Sequence, residues 1–153
     1  MPSKQFRDNL VRGHRAEDRA VKLLKKEFPT IRAVYTDPEG AVGSFKSYDL
    51  IDDYGYTFEV KGEVKSRETG NIAIEIESYG KPSGIESTEA NEWFHIYYLD
   101  GHWVYTRCLV SDLRYYIALK ETKGVRGGED MQSQMYLFKA KDFSKDFGYT
   151  VFR

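Results

Sequence analysis

Cysteine is almost missing from this chain: Cys108 is the only one among 153 residues. A lone thiol excludes an internal disulfide and a cysteine-based zinc site, and it suits a reducing, cytoplasmic setting. Histidine is nearly as sparse. His14, His95 and His102 are scattered, without HExxH or paired spacing, which argues against a histidine-based metal centre. No apolar run approaches the length of a signal sequence or a membrane helix, so no membrane partner is expected. The chain also lacks a Walker loop, a GxSxG elbow and a dinucleotide fingerprint, and carries no internal repeat or low-complexity tract. One domain spanning residues 1–153 is the expected organisation, long enough to bury a core without staples.

What is abundant is charge and aromatic surface. Aromatic residues make up 15% of the chain and twelve are tyrosines, so any groove should be rich in flat, amphipathic rings. A net charge of -1 speaks against nucleic acid as a partner, since backbone binding is driven by Lys and Arg. The distribution reverses that impression. Residues 1–32 hold nine basic residues, Arg12, Arg15 and Arg19 among them, against four acids, whereas the remainder is net acidic. A basic arm beside an acidic pocket fits a metal-dependent enzyme acting on a polyanion; a solvated amphipathic helix is the plainer alternative.

Helical spacing predicts a helix over about 7–28, stopped by Pro29, with Leu10, Val21, Leu24 and Phe28 on its apolar stripe. Glu17 falls on that stripe, where an acid is costly unless a cation or metal meets it. Alternatively it sits at the stripe's edge, in water or paired with Arg12 or Arg15. A short strand is expected at Ile31–Tyr35 and a loop at Thr36–Ser44. A hairpin follows over about 45–65, turning at Asp52-Asp53-Tyr54-Gly55.

That hairpin carries the chemistry. With a bulged turn at Gly55, Asp49 lies opposite Glu59 on one sheet face with Lys61 diagonal to the pair; without it the carboxylates point apart. Converging carboxylates can hold Mg²⁺, and an adjacent ammonium can handle a water or a phosphate oxygen. Glu63-Val64-Lys65 repeats the Glu-x-Lys pattern on the same face. At roughly 13 Å further along a strand, Glu63 is too far from Asp49 to share a metal, and reads as a flanking pair with Lys65.

Asn71–Glu77 alternates as a strand with Ile72, Ile74 and Ile76 on one face. Glu75, on the other, is a further candidate acid, although a solvent-facing strand residue is the favoured reading. In the loop Tyr79–Glu89, Lys81, Ser83 and Thr88 stand beside an expected short helix through Glu92, capped by Ser87 or Thr88, and can hold a phosphate oxygen; ordinary turn and cap chemistry explains them too. A second hairpin is expected at Trp93–Leu99 and His102–Thr106, a helix at Leu109–Leu119, a mobile loop at Thr122–Gln132, and closing strands at Gln134–Ala140 and Tyr149–Phe152.

The series Glu17, Gly43-Ser44, Tyr48-Asp49 and Glu59-Val60-Lys61 resembles the PD-(D/E)XK nuclease superfamily over roughly residues 10–107. In pattern it is most similar to small phage-encoded nucleases and Holliday-junction resolvases. Tyr48 stands where the namesake proline would be. The resemblance implies an α/β fold, a central mixed sheet flanked by helices with a restriction-endonuclease-like core. It implies that Asp49, Glu59 and the Val60 carbonyl bind Mg²⁺ or Mn²⁺, with Glu17 as a further acid, and that Lys61 orients or deprotonates the attacking water. It further implies DNA as partner, contacted by Arg12, His14, Arg15, Arg19, Ser44, Lys46, Lys81, Ser83 and Thr88. Hydrolysis would leave a 5′-phosphate and a 3′-hydroxyl, with branched DNA as one substrate form and a homodimer as one assembly. Action on ends, nicks, single strands or RNA is the alternative, and a catalytically silent nucleic-acid-binding module is another. The geometric expectation is three acids around one point, with Lys61 beside them.

Overall fold

The computed structural model describes residues 4–34, 48–120, 124–127 and 131–153, with 5–14 described as helical backbone alone. Helix α1 spans Lys4–Leu24, and strands β1 (Arg32–Ala33), β2 (Leu50–Ile51) and β3 (Thr57–Gly62) follow. A four-residue helix α2 (Ser66–Thr69) leads into β4 (Asn71–Ser78), β5 (Lys81–Pro82) and a 3₁₀ turn at Gly84–Glu86. Then come β6 (Glu92–Leu99), β7 (His102–Leu109), α3 (Val110–Lys120), β8 (Val125–Gly127), β9 (Ser133–Lys139), α4 (Ala140–Phe147) and β10 (Thr150–Val151).

These elements form an α/β structure around a mixed six-stranded sheet in the order β1-β2-β3-β6-β7-β10. The pairs β1/β2, β2/β3, β6/β7 and β7/β10 are antiparallel, whereas β3 and β6 are parallel. A parallel neighbour needs a long crossover, and residues 63–91 supply it. Within that crossover β4 leaves the central sheet and joins a second one, β5-β4-β9-β8.

Two apolar layers explain the arrangement. On one face of the central sheet, Ala20 and Leu24 of α1 pack with Leu50, Phe58, Val60, Phe94 and Ile96. On the other, Trp93, Tyr97, Leu99 and Val104 meet Leu113 and Ile117 of α3, Phe143 of α4, and Ile72, Ile74 and Phe138 of the second sheet. Strand β6 is therefore covered on both faces, which is why Trp93, Phe94, His95, Ile96 and Tyr97 are buried in succession.

The helix stripe is shifted from expectation. Among its described side chains Glu17, Ala20 and Leu24 are buried and Val21 is half-buried, as is Phe28 beyond the helix end at Leu24, because small side chains let α1 lie close to β3; the side chain of Leu10 lies outside the described residues. At Gly62 a Cβ would stand 3.1 Å from Ala16 Cβ, so glycine permits that approach.

Several other elements differ from the sequence reading. Lys65 precedes α2 instead of extending β3, and no helix runs from Thr88 to Glu92; the chain there enters β6. Val125–Gly127 forms a strand against β9 where a loop was expected, since backbone pairing with Ser133–Met135 overrides the glycine content. Helix α4 adds to the expected set. The loop 36–44 and the beginning of the strand predicted from Phe45, with Ser44 and Lys46, lie outside the described residues. No helix among the described residues is long and apolar enough to cross a membrane.

Gly84 supplies a strict steric test. Its φ is +54° and an added Cβ would fall 2.2 Å from the Glu75 carbonyl oxygen. Gly84→Ala is expected to destabilise the fold by at least about 2 kcal/mol, combining left-handed strain with backbone overlap. A thermal melt within error of the parent would show that this contact does not hold the 3₁₀ turn against β4.

Candidate active site

Register and a bend place the acids. Leu50 pairs with Phe58 and Ile51 with Thr57 across the β2/β3 hairpin, and Gly55 takes φ +82° in the turn. The ladder ends at Leu50: Asp49 lies in a bend and its amide donates to the Phe58 carbonyl at 2.8 Å, so the expected pairing of Asp49 directly across from Glu59 is not formed, although the two carboxylates remain close enough to interact. Phe58 and Val60 face α1, so Glu59 and Lys61 point to the opposite side of β3.

Each charged group there has a defined partner. Asp49, buried at 6% exposure, accepts a hydrogen bond on Oδ2 from the Val60 amide at 2.8 Å. Glu59 receives the Thr88 hydroxyl on Oε1 at 2.9 Å, and its Oε2 lies 3.3 Å from Lys61 Nζ. Lys61 in turn lies over the Trp93 ring, Nζ being 5.8 Å from the centroid. Burial pushes the Glu59 carboxyl upward; Lys61 opposes this and Asp49 adds to it, leaving a net rise. Desolvation works against the Lys61 ammonium, but Glu59, Asp49 and Glu75 outweigh it and raise its pKa. Lys61 is thus held charged by three carboxylates.

The hairpin opens into a cleft of about 980 Å³, lined by Glu17, Asp49, Lys61 and Glu75, with Arg15 and Arg19 also on its wall. Glu17 is 6% exposed, which overturns the alternative of a water-exposed edge residue. Glu75 is half-buried in the wall, not a plain solvent-facing residue, and its charge reaches Lys61. The second sheet brings it there. Ala73, two residues earlier on β4, donates its amide to Glu63 Oε1 at 2.7 Å, tying β4 to the end of β3. Glu63 is consequently a strut between the sheets, with His95 Nε2 3.4 Å away, instead of a flanking pair with Lys65.

Other expected positions are placed differently. Thr88 is buried and turned to Glu59, so its hydroxyl serves a carboxylate and not an exposed phosphate site. Lys81 is exposed on β5 and Ser83 is half-buried beside it; neither lines the cleft. The side chains of Arg12 and His14 lie outside the described residues. Among the described residues no three His, Cys, Asp or Glu side chains are grouped closely enough to hold a metal between them. Three acids around one point is therefore not the arrangement. Asp49 is drawn onto the Val60 amide and Glu59 onto Thr88 and Lys61, while Glu17 and Glu75 occupy other parts of the wall.

Residues without a motif also shape the site. Arg114 of α3 donates to the carbonyls of Ile85 and Thr88 at 3.0 and 2.9 Å, fixing the loop that presents the Thr88 hydroxyl. Trp103, Phe152 and Arg153 line the far part of the cleft. The only sequence signal for them is an aromatic at the start of a hairpin strand and a basic residue near the last strand, which is too common to single out. No protein-family model matches this chain, and no curated protein sequence matches it.

Proposed function

We propose that this protein is a metal-dependent nuclease hydrolysing phosphodiester bonds of DNA, with the PD-(D/E)XK arrangement and its restriction-endonuclease-like core as the frame. The observation that carries the reading is that Asp49 and Lys61 line a cleft whose wall also bears Arg15 and Arg19, with the Glu59 carboxylate 3.3 Å behind Lys61 Nζ. The donor set fits a hard divalent ion in type: two carboxylates and a neighbouring carbonyl oxygen suit Mg²⁺ or Mn²⁺, and Mg²⁺ retains several waters of its own. The rise in the Glu59 pKa comes first from burial, with Lys61 opposing it and Asp49 adding to it; a divalent ion beside the two carboxylates would favour their charged forms.

Asp49, Glu59 and the Val60 carbonyl would hold the ion, with Glu17 and Glu75 as further acids of the same cleft. When bound, such an ion lowers the pKa of its water and polarises a phosphoryl oxygen. Lys61, held as an ammonium, donates hydrogen bonds; it suits orienting the water and offsetting charge on the phosphate better than removing a proton. Arg15 and Arg19 favour approach of the polyanion.

Incubation with branched, linear duplex and single-stranded DNA and with RNA, in Mg²⁺ or Mn²⁺, should show cutting that EDTA abolishes. Failure to cut any of them would sink the enzyme reading. Thr88→Val, which keeps the side chain's shape and removes the donor to Glu59, should lower cleavage about 10-fold or more through the freed carboxylate. An unchanged rate at saturating metal and at limiting metal would show that Thr88 does not position Glu59.

A further inference from the structure

Away from Asp49, the cleft changes character. Its far floor is made by Ile96, Trp103 and Phe152, with Arg19, Lys65 and Arg153 around them. The sheet face explains the exposure: Phe94 and Ile96 are covered by the α1 layer, but Trp103, further along the same face, keeps 37% of its surface accessible. An indole left partly open in a cleft offers a flat aromatic surface to a ligand.

That indole is also held in place. The Arg67 guanidinium stacks over Tyr98 at 5.1 Å, and the Tyr98 ring meets Trp103 edge-on at 5.4 Å. Across the sheet the Phe152 amide donates to the Trp103 carbonyl at 3.3 Å, and the Arg19 guanidinium lies 5.6 Å from the Phe152 centroid. Arg19 also donates to the Arg153 carbonyl at 3.1 Å, which joins α1 to the floor of the cleft. A braced ring beside cations is the combination that binds an unstacked nucleobase and its backbone: the ring offers a face, and the cations meet the phosphates. A continuous duplex offers no free base face to such a ring.

We propose that Trp103 is a stacking subsite for an unpaired nucleobase, so that the cleft takes nucleic acid with a single-stranded or splayed segment next to the cleavage point. This rests on the nuclease reading for the role of the other end of the cleft, but binding tests it separately from cutting. The two tryptophans make the readout specific. Trp93 is fully buried and donates to His95 Nδ1 at 3.0 Å, so quenching on ligand addition reports Trp103.

The experiment titrates the full chain, in EDTA, with oligothymidylate and with a hairpin duplex of equal charge, reading tryptophan fluorescence and anisotropy of a labelled strand. The single strand should bind more tightly and quench the emission. Trp103→Ala should weaken single-strand binding by about 10-fold while changing duplex binding less than about 2-fold, and Trp103→Phe should restore most of the loss. Equal affinity for the two ligands, or Trp103→Ala binding the single strand as the parent does, would overturn the subsite. A circular dichroism spectrum and melt of each variant identify a folding failure, and Trp103→Phe then decides: parent-like affinity without quenching supports the subsite, and loss of the single-strand preference overturns it. Single-strand preference with no metal-dependent cutting would overturn the nuclease reading and leave the subsite. Cutting of continuous duplex at a rate that Trp103→Ala does not change would do the reverse.

Discussion

Asp49→Asn is expected, on the proposed nuclease reading, to reduce metal-dependent cleavage by about three orders of magnitude or more while leaving the protein folded, because the proposed metal site would lose one charged donor and the backbone contact is kept. Asp49 has two duties in the structure. It contributes negative charge beside Glu59 and Lys61, and it satisfies the amide of Val60 through Oδ2. An asparagine oxygen can still accept from Val60, so the structural duty survives and the charge does not. Asp49→Ala removes both, and should add a stability loss of about 1–3 kcal/mol for the buried amide left unpaired. Comparing cleavage and thermal melts for the two variants separates the roles. Parent-like cleavage by Asp49→Asn would remove Asp49 from the metal site.

The part of this site that was legible in the sequence is the part governed by neighbours in the chain. Strand alternation and the Asp52–Gly55 turn carry enough information to set the pairing of Leu50 with Phe58 and of Ile51 with Thr57, but not the bend at Asp49 that turns its carboxylate onto the Val60 amide. The α/β class was what the family resemblance implied, whereas the second hairpin follows from the same kind of signal. Asp100 and Gly101 form its turn with φ +48° and +86°, the conformation that short hairpins need.

What was not legible depends on which distant segments meet. Nothing in Asn71–Ser78 states that it will leave the central sheet, yet that choice brings Glu75 to Lys61 and turns Glu63 into a strut. Thr88 reads locally as a cap, but tertiary packing through Arg114 directs it to Glu59. Helix α4 is a different case, since Ala140, Phe143, Ser144 and Phe147 do have helical spacing. Its eight residues give too short a window for that period to stand out after a strand ending at Lys139.

Arg107→Ala is expected to cost about 2–3 kcal/mol at neutral pH, because it strands the buried Glu92 carboxylate although Arg107 itself is partly exposed. In a chain of this length that corresponds to a fall in melting temperature of several degrees. Arg107 donates from Nε and Nη2 to the two oxygens of Glu92 at 2.8 and 2.9 Å, and also bridges to both oxygens of Glu27 beyond α1. Its guanidinium lies over the Phe28 and Phe58 rings, at 5.4 and 5.6 Å, so packing is lost along with charge. Glu92 is 8% exposed, and the Tyr56 hydroxyl donates to it at 2.5 Å. Burial alone would raise its pKa; hydrogen bonds from Arg107 and Tyr56 outweigh burial and hold it below the ordinary carboxylate range. A lowered folded-state pKa adds stability that is present above the unfolded value of about 4.3 and disappears as pH falls through the folded one. In Arg107→Ala the stranded carboxylate instead resists ionising, so the deficit relative to the parent should be largest near pH 7 and shrink toward pH 3. Denaturant unfolding across that range tests the sign. A deficit that stays constant with pH would mean that lost packing over Phe28 and Phe58, and not the Glu92 charge, makes Arg107 the clamp between the end of α1 and the central sheet.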